Sequence, residues 1–113
     1  MKIIGIGVDI VDNTRFKKLV KKRNFIHRIC SNKELDSLKK KTNKILFLSK
    51  RFSAKESFVK ALGSGFRNNL SFKDISILND KKGKPFFLFN QTIKNILKKK
   101  YKLDKFKAHL SLS

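Results

Sequence analysis

The longest periodic segment of the sequence runs from about position 43 to position 62 and predicts a single helix. Its apolar residues at helical spacing are Ile45, Leu48, Phe52, Val59 and Leu62. Gly63 follows them and favours the left-handed conformation that commonly ends a helix. Glu56 and Lys60 lie one turn apart on one face, which by itself is typical of a solvated surface ion pair. A chain of 113 residues has room for one domain, and this helix is its longest predicted element.

The start of the chain has the alternating pattern of a β-strand. The apolar positions of one face are Ile4, Ile6, Val8 and Ile10, and we expect this face to be buried. The other face includes Gly5, Gly7 and Asp9, so another group can approach the backbone closely beside a carboxylate. The alternative, which this pattern alone favours, is a bulge or close strand packing next to a turn-facing Asp9.

Shorter patterns predict two helices before the long one. Residues 13–22 form the first, with Asn13 or Thr14 as its cap. The second begins at Ser31, because Ser31 and Glu34 have the spacing of a capping box.

Two apolar runs after the long helix predict a hairpin, at 74–78 and 86–89. The loop between them contains Gly83, which suits a positive φ, and Pro85 at the entry of the second strand. The final segment, 106–113, alternates between apolar and polar residues and predicts another strand.

The charge of the chain is strongly positive, with 29 Lys and Arg against 8 Asp and Glu and a net charge of +21. Such a surface attracts polyanions, so nucleic acid, an acidic membrane face, an acidic protein and a phosphorylated cofactor all remain open. However, 24 of the basic residues are Lys, in a chain that is also rich in Phe, Ile and Asn. This bias is typical of an A/T-rich genome, so the charge is weak evidence for a nucleic-acid partner.

Several classes of protein are excluded. Cys30 is the only cysteine, so the chain cannot form an internal disulfide, and with two histidines it cannot build an ordinary four-ligand zinc site. Asp9 interrupts the apolar start, which argues against a signal peptide. No stretch approaches the roughly 20 apolar residues of a membrane span. We therefore expect a cytoplasmic protein with no membrane partner.

Four segments together are similar to a known family. They are GIGVDIVDNTRF at 5–16, RFSAKESFVKALGSG at 51–65, NDKKGKP at 79–85 and HLSLS at 109–113. In this order and spacing they resemble the holo-[acyl-carrier-protein] synthases, small 4′-phosphopantetheinyl transferases of fatty-acid synthesis. The resemblance implies one α+β domain over residues 1–113, with helices packed on an antiparallel sheet.

The resemblance also implies an activity: transfer of the 4′-phosphopantetheine arm of coenzyme A to a serine of acyl carrier protein, with release of adenosine 3′,5′-bisphosphate. Asp9 and Glu56 match the two family carboxylates that hold Mg²⁺, a cation suited to phosphate chemistry. Lys60 matches the family lysine beside them. Glu56 then acts either as the base itself or through a water organised by the metal.

Further residues match family contacts. Those implied for the coenzyme are Arg51, Lys60, Gly63, Ser64, Gly65, Lys84, Pro85 and His109. Those implied for docking of the acidic carrier protein are Arg15, Lys18, Lys21 and Lys22. The family is typically a homotrimer with each active site between two subunits. This arrangement would allow Asp9 to come from one chain and Lys60 from its neighbour.

One departure and two rival interpretations remain. Family members continue past the segment that matches HLSLS into a final strand, so the chain is either truncated or a reduced enzyme that lacks this strand. The rivals are a small basic nucleic-acid-binding protein and a degenerate homologue that binds the carrier protein without turnover. The first is disfavoured because most Phe residues lie at core positions, and we expect no nucleic-acid partner.

Overall fold

The computed structural model describes residues 5–9, 11–63, 70–103 and 106–112. The helices are α1 (Asn13–Val20), α2 (Phe25–Ile29), α3 (Asn32–Leu38), α4 (Lys44–Leu62) and α5 (Gln91–Tyr101). A short 3-10 turn (Phe72–Asp74) precedes the strands β1 (Ile75–Asn79) and β2 (Pro85–Phe89). The strands pair antiparallel, from Ile75 opposite Phe89 to Asn79 opposite Pro85. The α+β class with helices around an antiparallel sheet is confirmed.

The long helix and the hairpin form where local signals predict them. The Asn43 side chain accepts a hydrogen bond from the Leu46 amide at 3.0 Å and caps the start of α4. Gly63 ends the helix with φ 79°, in the left-handed region. Gly83 has φ 83° in the hairpin loop, and Pro85 opens β2. The capping box of α3 is also present, since Ser31 and Glu34 exchange hydrogen bonds.

Two apolar clusters form the core, and α4 contributes to both. The first lies among the helices and consists of Phe16, Phe25, Ile29, Cys30, Leu38, Phe47 and Leu48. The second lies between α4, the hairpin and α5 and consists of Val59, Leu70, Ile75, Ile93 and Leu97. Because α4 is covered at its two ends by different neighbours, it acts as the central support of the fold.

The structure corrects two details of the early helices. The cap of α1 is Asp12 rather than Asn13 or Thr14, because Asp12 Oδ1 accepts from the Thr14 amide at 2.9 Å. The sequence analysis also missed α2, whose five residues are too few for a helical period to stand out.

The N-terminal segment differs most from expectation. Residues 5–9 form no strand, and Ile6 and Val8 are 79% and 72% exposed, so the prediction that they are buried is wrong. Ile4 and Ile10 lie outside the described residues. The physical reason is that the glycine face, rather than the apolar face, packs on α4. A Cβ at Gly5 or Gly7 would collide with the carbonyl oxygen of Ala61 or Ser57.

The segment 106–112 keeps the predicted alternation without forming a strand. Its apolar positions are half-buried and its polar positions are exposed. Phe106 packs against the second cluster, where its ring centroid lies 5.6 Å from that of Phe89. The described part of this segment therefore contributes to the core through Phe106.

Candidate active site

Asp9 is held against the C-terminal half of α4 by two hydrogen-bonding residues. Lys60 Nζ donates to Asp9 Oδ1 at 2.6 Å and lies 3.4 Å from the carbonyl oxygen of Val8. Ser53 Oγ donates to the backbone oxygen of Asp9 at 3.2 Å. The Asp9 side chain is 13% exposed and that of Lys60 is 54% exposed. The carboxylate is thus largely enclosed, while the ammonium that neutralises it remains open to solvent.

Glu56 lies one turn before Lys60 and is half-buried. Burial raises the pKa of Glu56, and the negative charge of Asp9 raises this pKa further, while Lys60 opposes both effects. The pKa of Lys60 is raised, mainly by its hydrogen bond with Asp9. Both shifts require the three side chains to lie close enough for their charges to interact.

The three charged residues come from a single chain. The sequence analysis allowed Asp9 to belong to one subunit and Lys60 to its neighbour. The structure instead places Asp9 and Lys60 in contact within one chain. The close packing of Gly5 and Gly7 on α4 brings Asp9 to Lys60.

Two neighbouring carboxylates suit a magnesium ion that also binds phosphate. Mg²⁺ is usually held by one or two carboxylates, with water and substrate oxygens completing its coordination. Asp9 and Glu56 meet this requirement, because each is partly shielded from solvent and their charges interact. Within the described ranges there is no group of three or more His, Cys, Asp or Glu that could hold a metal ion. The residues present therefore fit a site that depends on the substrate for its remaining ligands.

The residues expected to contact the coenzyme lie in separate parts of the chain. Gly63 directly follows the last turn of α4, beside Lys60, whereas Ser64 and Gly65 lie outside the described residues. Lys84 and Pro85 lie where the hairpin loop meets β2, and Asp80 Oδ1 orders that loop by accepting from the Lys84 amide at 2.9 Å. His109 is exposed in the segment 106–112.

Arg51 lies on a different face of α4 from Glu56. A separation of five residues corresponds to about 140° around a helix. Arg51 is 6% exposed, its Nη2 donates to Asn79 Oδ1 at 3.0 Å, and its guanidinium carbon lies 3.8 Å from the centroid of the Phe47 ring. Arg51 Nε is buried and has no hydrogen-bond partner among the described residues. The structure does not bring Arg51 to Asp9 and Lys60 within one chain.

The groove beside Arg51 is rich in cations. Its volume is about 380 Å³, and Lys33, Lys41 and Ser37 are among its lining residues. Asp36 is the acidic residue that lines it. A buried guanidinium with a free donor, together with two exposed lysines, suits an anionic group.

The residues expected to dock the carrier protein form one exposed surface. Arg15 and Lys18 are exposed on α1, and Lys21 and Lys22 are exposed just after it. Phe16 faces the opposite way and is 1% exposed, so it fixes the side of α1 that faces the core. A groove of about 590 Å³ adjoins this surface at Lys22. Apolar and polar residues line it together: Val20, Lys22, Asn24, Phe25, Ile26, His27, Asn32, Leu35, Asp36, Leu38 and Lys39.

Lys55, the residue next to Glu56, was not among the residues expected from the sequence to belong to the site. Lys55 is fully buried, and its ammonium is 2.5 Å from Glu34 Oε1. Its position was visible in the sequence, because it continues the apolar stripe on α4. That stripe reads Leu48, Phe52, Lys55, Val59 and Leu62. A lysine within such a stripe is the signal that would have identified a buried cation.

Comparison with known proteins identifies the family. Residues 5–110 match the family model of the 4′-phosphopantetheinyl transferase superfamily. The chain belongs to this superfamily. Over 113 residues it is 56% identical to a holo-[acyl-carrier-protein] synthase of Pelagibacter ubique, a match that covers the whole chain and 88% of that protein. The resemblance stated from the four segments is confirmed.

Solved structures agree with this membership in the superfamily. The chain matches the holo-[acyl-carrier-protein] synthase of Neisseria meningitidis with a TM-score of 0.81 and 36% identity, over 88% of this chain and 82% of that one. It matches the synthase of Helicobacter pylori, solved in complex with coenzyme A, with a TM-score of 0.69 and 34% identity, over 80% and 77% of the two chains. Among the described residues of this family member, no helix is long and apolar enough to cross a membrane.

Proposed function

We propose that this protein is a holo-[acyl-carrier-protein] synthase. It transfers 4′-phosphopantetheine from coenzyme A to a serine of apo acyl carrier protein, in fatty-acid biosynthesis in the cytoplasm, and releases adenosine 3′,5′-bisphosphate. The observation that carries this proposal is the cluster of Asp9, Glu56 and Lys60, which unites two interacting carboxylates and a solvent-exposed ammonium. Membership in the transferase superfamily and 56% identity to a synthase support it.

Asp9 and Glu56 would hold Mg²⁺ beside Lys60. When bound, the ion supplies positive charge that offsets the negative charge of the diphosphate oxygens. Glu56 also accepts the proton of the carrier serine, directly or through one water, because its raised pKa makes it a stronger base than an ordinary carboxylate. The serine oxygen then bonds to the phosphorus that bears pantetheine, and the bridging P–O bond breaks. Lys60 donates a hydrogen bond to the phosphate oxygens as charge shifts to the leaving nucleotide.

The coenzyme contacts point to an active site shared between subunits. We assign Gly63, Ser64 and Gly65 to the pantetheine side of Lys60, since they follow it in the chain. Lys84, Pro85, His109 and Arg51 are assigned to the nucleotide end. The free Nε of Arg51 supports an anionic ligand there.

A homotrimer would place the Arg51 groove of one subunit near the cluster of Asp9, Glu56 and Lys60 in the next subunit. Arg51 and Lys60 lie on different faces of α4, so one chain does not bring them together. The exposed apolar side chains of Ile6 and Val8 support a contact between subunits next to Asp9.

The carrier protein is proposed to dock on the exposed surface formed by Arg15, Lys18, Lys21 and Lys22. Acyl carrier proteins are strongly acidic, so these cations complement the partner. Such charges mainly accelerate encounter and make it sensitive to salt. The adjoining groove offers apolar contacts at Val20, Phe25 and Ile26 beside this charge.

A mass measurement tests the proposed function. The protein is incubated with apo acyl carrier protein, coenzyme A and Mg²⁺, and the carrier protein is then weighed. We expect a gain equal to one phosphopantetheine group, lost in Asp9→Ala and in Glu56→Ala but kept in Lys94→Ala, which removes an exposed charge on α5. No gain with folded wild-type protein would overturn the activity and favour a homologue that binds the carrier protein without turnover.

A further inference from the structure

Lys60 already neutralises Asp9, a carboxylate proposed to hold the metal ion. Its ammonium lies 2.6 Å from Asp9 Oδ1, in the range of a direct charge-assisted hydrogen bond. The charge of Lys60 also opposes the rise in the pKa of the neighbouring Glu56. One lysine thus offsets the negative charge of both carboxylates.

We propose that the ammonium of Lys60 is a temporary counter-ion of Asp9 and leaves this carboxylate when the metal ion and coenzyme A bind. This inference rests on the proposed magnesium site. Lys60 then exchanges the carboxylate for a phosphate oxygen of the coenzyme. The ammonium is therefore both a competitor of the metal ion and a ligand of the substrate.

The exchange follows from the geometry of the oxygen atom. Lys60 is bonded to Oδ1 of Asp9, and a metal ion on either oxygen of this carboxylate would lie within a few ångströms of the ammonium. Asp9 is only 13% exposed, so water screens the repulsion between the two cations weakly. Withdrawal of Lys60 from Asp9 removes this repulsion and strengthens binding of the ion.

Lys60 is free to make this movement. Its side chain is 54% exposed and has four methylene groups, and it lies in the last turn of α4, three residues before Gly63. Ammonium groups on such long side chains reorient without a change in the backbone.

The backbone around Asp9 has contacts with α4 besides those of Lys60. Ser53 Oγ donates to the backbone oxygen of Asp9, and the backbone of Gly5 and Gly7 packs on α4. These contacts would keep the backbone of this segment beside α4 when Lys60 leaves the carboxylate.

This exchange couples the two ligands. Without coenzyme A the metal ion has to displace Lys60 from Asp9 with no new partner for the ammonium, so metal binding is weakened. With coenzyme A present, the phosphate oxygens receive Lys60 and the penalty is reduced. Reciprocity of binding free energies then requires that the metal ion strengthens binding of the coenzyme by the same factor.

The test is a titration of Mn²⁺, followed by electron paramagnetic resonance of the free ion, without coenzyme A. We expect Lys60→Gln to bind Mn²⁺ about threefold or more tightly than wild type, because the competing cation is gone. Lys60→Arg, which keeps the charge, should not gain affinity. The matched control Lys44→Gln removes an exposed lysine about 24 Å away along α4, at roughly 1.5 Å per residue, and should bind as wild type does.

The outcomes separate this inference from the proposed function. Equal or weaker binding of Mn²⁺ by Lys60→Gln, with binding still lost in Asp9→Asn, would overturn the exchange and leave the metal site intact. Absence of Mn²⁺ binding in every variant, with and without coenzyme A, would overturn both. If Lys60→Gln gains affinity, addition of coenzyme A should strengthen Mn²⁺ binding by a larger factor in wild type than in that variant. A factor as large in the variant would contradict transfer of the ammonium to phosphate.

Discussion

Lys55 Nζ lies 2.5 Å from Glu34 Oε1, and both side chains are fully buried. The ammonium also donates to the backbone oxygens of Ile29 at 2.5 Å and Phe72 at 3.0 Å, so all three of its protons are used. Glu34 Oε2 accepts from the Ile77 amide at 3.0 Å. This pair connects α2, α3, α4, the 3-10 turn and β1. Because it fixes the rotation of α4, it determines where the next residue, Glu56, points.

Removal of the buried ammonium should destabilise the protein strongly. Lys55→Met leaves Glu34 charged and unpaired in the core, and loss of one partner of a buried pair typically costs about 3 to 5 kcal/mol. Urea unfolding at a fixed protein concentration measures this cost. Lys44→Met, at an exposed position of α4, should change stability by less than about 0.5 kcal/mol. A cost for Lys55→Met similar to that of this control would contradict the structure.

The double variant Lys55→Met/Glu34→Gln provides a second measurement. It removes the unpaired charge while the amide still accepts and donates hydrogen bonds. Its unfolding free energy should lie above that of Lys55→Met alone, because the charge of Glu34 is the main cost. A double variant that is the less stable of the two would indicate that the hydrogen bonds of Glu34, rather than its charge, dominate.

Gly7→Ala should displace Asp9 from the site. The added methyl group would collide with the carbonyl oxygen of Ser57, so the segment 5–9 has to move away from α4. We expect affinity for Mn²⁺ to fall at least about tenfold, alongside a loss of about 1 to 3 kcal/mol of stability that is typical of overpacking. The control is Gly83→Ala, which strains a positive φ but has no heavy atom within 4 Å of the added Cβ. Unchanged Mn²⁺ affinity in Gly7→Ala would contradict the close packing.

Glu56→Gln should abolish transfer without a loss of stability. The raised pKa of Glu56 means that its ionised form is less favourable in the folded than in the unfolded protein, first because of burial and then because of Asp9. The protonated form of Glu56 therefore favours the folded protein. This stabilisation is complete below the ordinary carboxyl pKa, and it is lost as the pH rises through the raised pKa that Glu56 has in the folded protein. At neutral pH the variant should therefore unfold at an equal or higher urea concentration than wild type, and the difference should vanish below about pH 4.

The activity of the same variant checks the catalytic role. Loss of a general base typically lowers the rate by about 100-fold or more, which the mass assay of the carrier protein detects. Lys94→Gln, on the exposed side of α5, serves as the control for removal of an exposed charge. A Glu56→Gln protein that unfolds more easily at neutral pH would contradict the assigned direction of the pKa shift, whatever its activity.

Cys30 should be unreactive in the native protein. It is 1% exposed, and burial, followed by the charge of Glu34, raises its pKa to about 11. Because the thiolate is the reactive form, alkylation by iodoacetamide near pH 8 should be about 100-fold or more slower than in the urea-unfolded chain. The rate is measured by mass spectrometry of the modified protein. Similar rates in the two states would show that the first core cluster opens readily.

Charge reversal on α1 should weaken docking of the carrier protein. We expect Lys18→Glu to raise the KM for acyl carrier protein about fivefold or more at low salt, with a smaller change in kcat, and the effect should shrink as salt is added. Lys94→Glu makes the same change on the exposed side of α5 and provides the control. A rise in KM of equal size for both variants would indicate that net charge, rather than the α1 surface, attracts the carrier protein.

Local signals in the sequence were sufficient for the long helix, the capping box of α3 and the hairpin, but not for α2. Gly63 and Gly83 adopt the positive φ that their positions predict, and Ser31 with Glu34 forms the predicted capping box. These features depend on residues only a few positions apart, so their physics is contained in short segments. The family motifs also identified Asp9, Glu56 and Lys60 as candidates, although each had a plainer interpretation on its own.

Only the tertiary structure decided how distant segments meet. Asp9 and Lys60 are separated by 51 positions, and their contact depends on two glycines that let the backbone approach α4. The same packing leaves Ile6 and Val8 exposed, although their alternation predicts burial. Periodicity indicates which residues share a face, but it does not indicate which neighbour covers that face. Here the steric fit between the backbone of residues 5–9 and α4 determined which face of the segment is covered. The same packing set the geometry of the site.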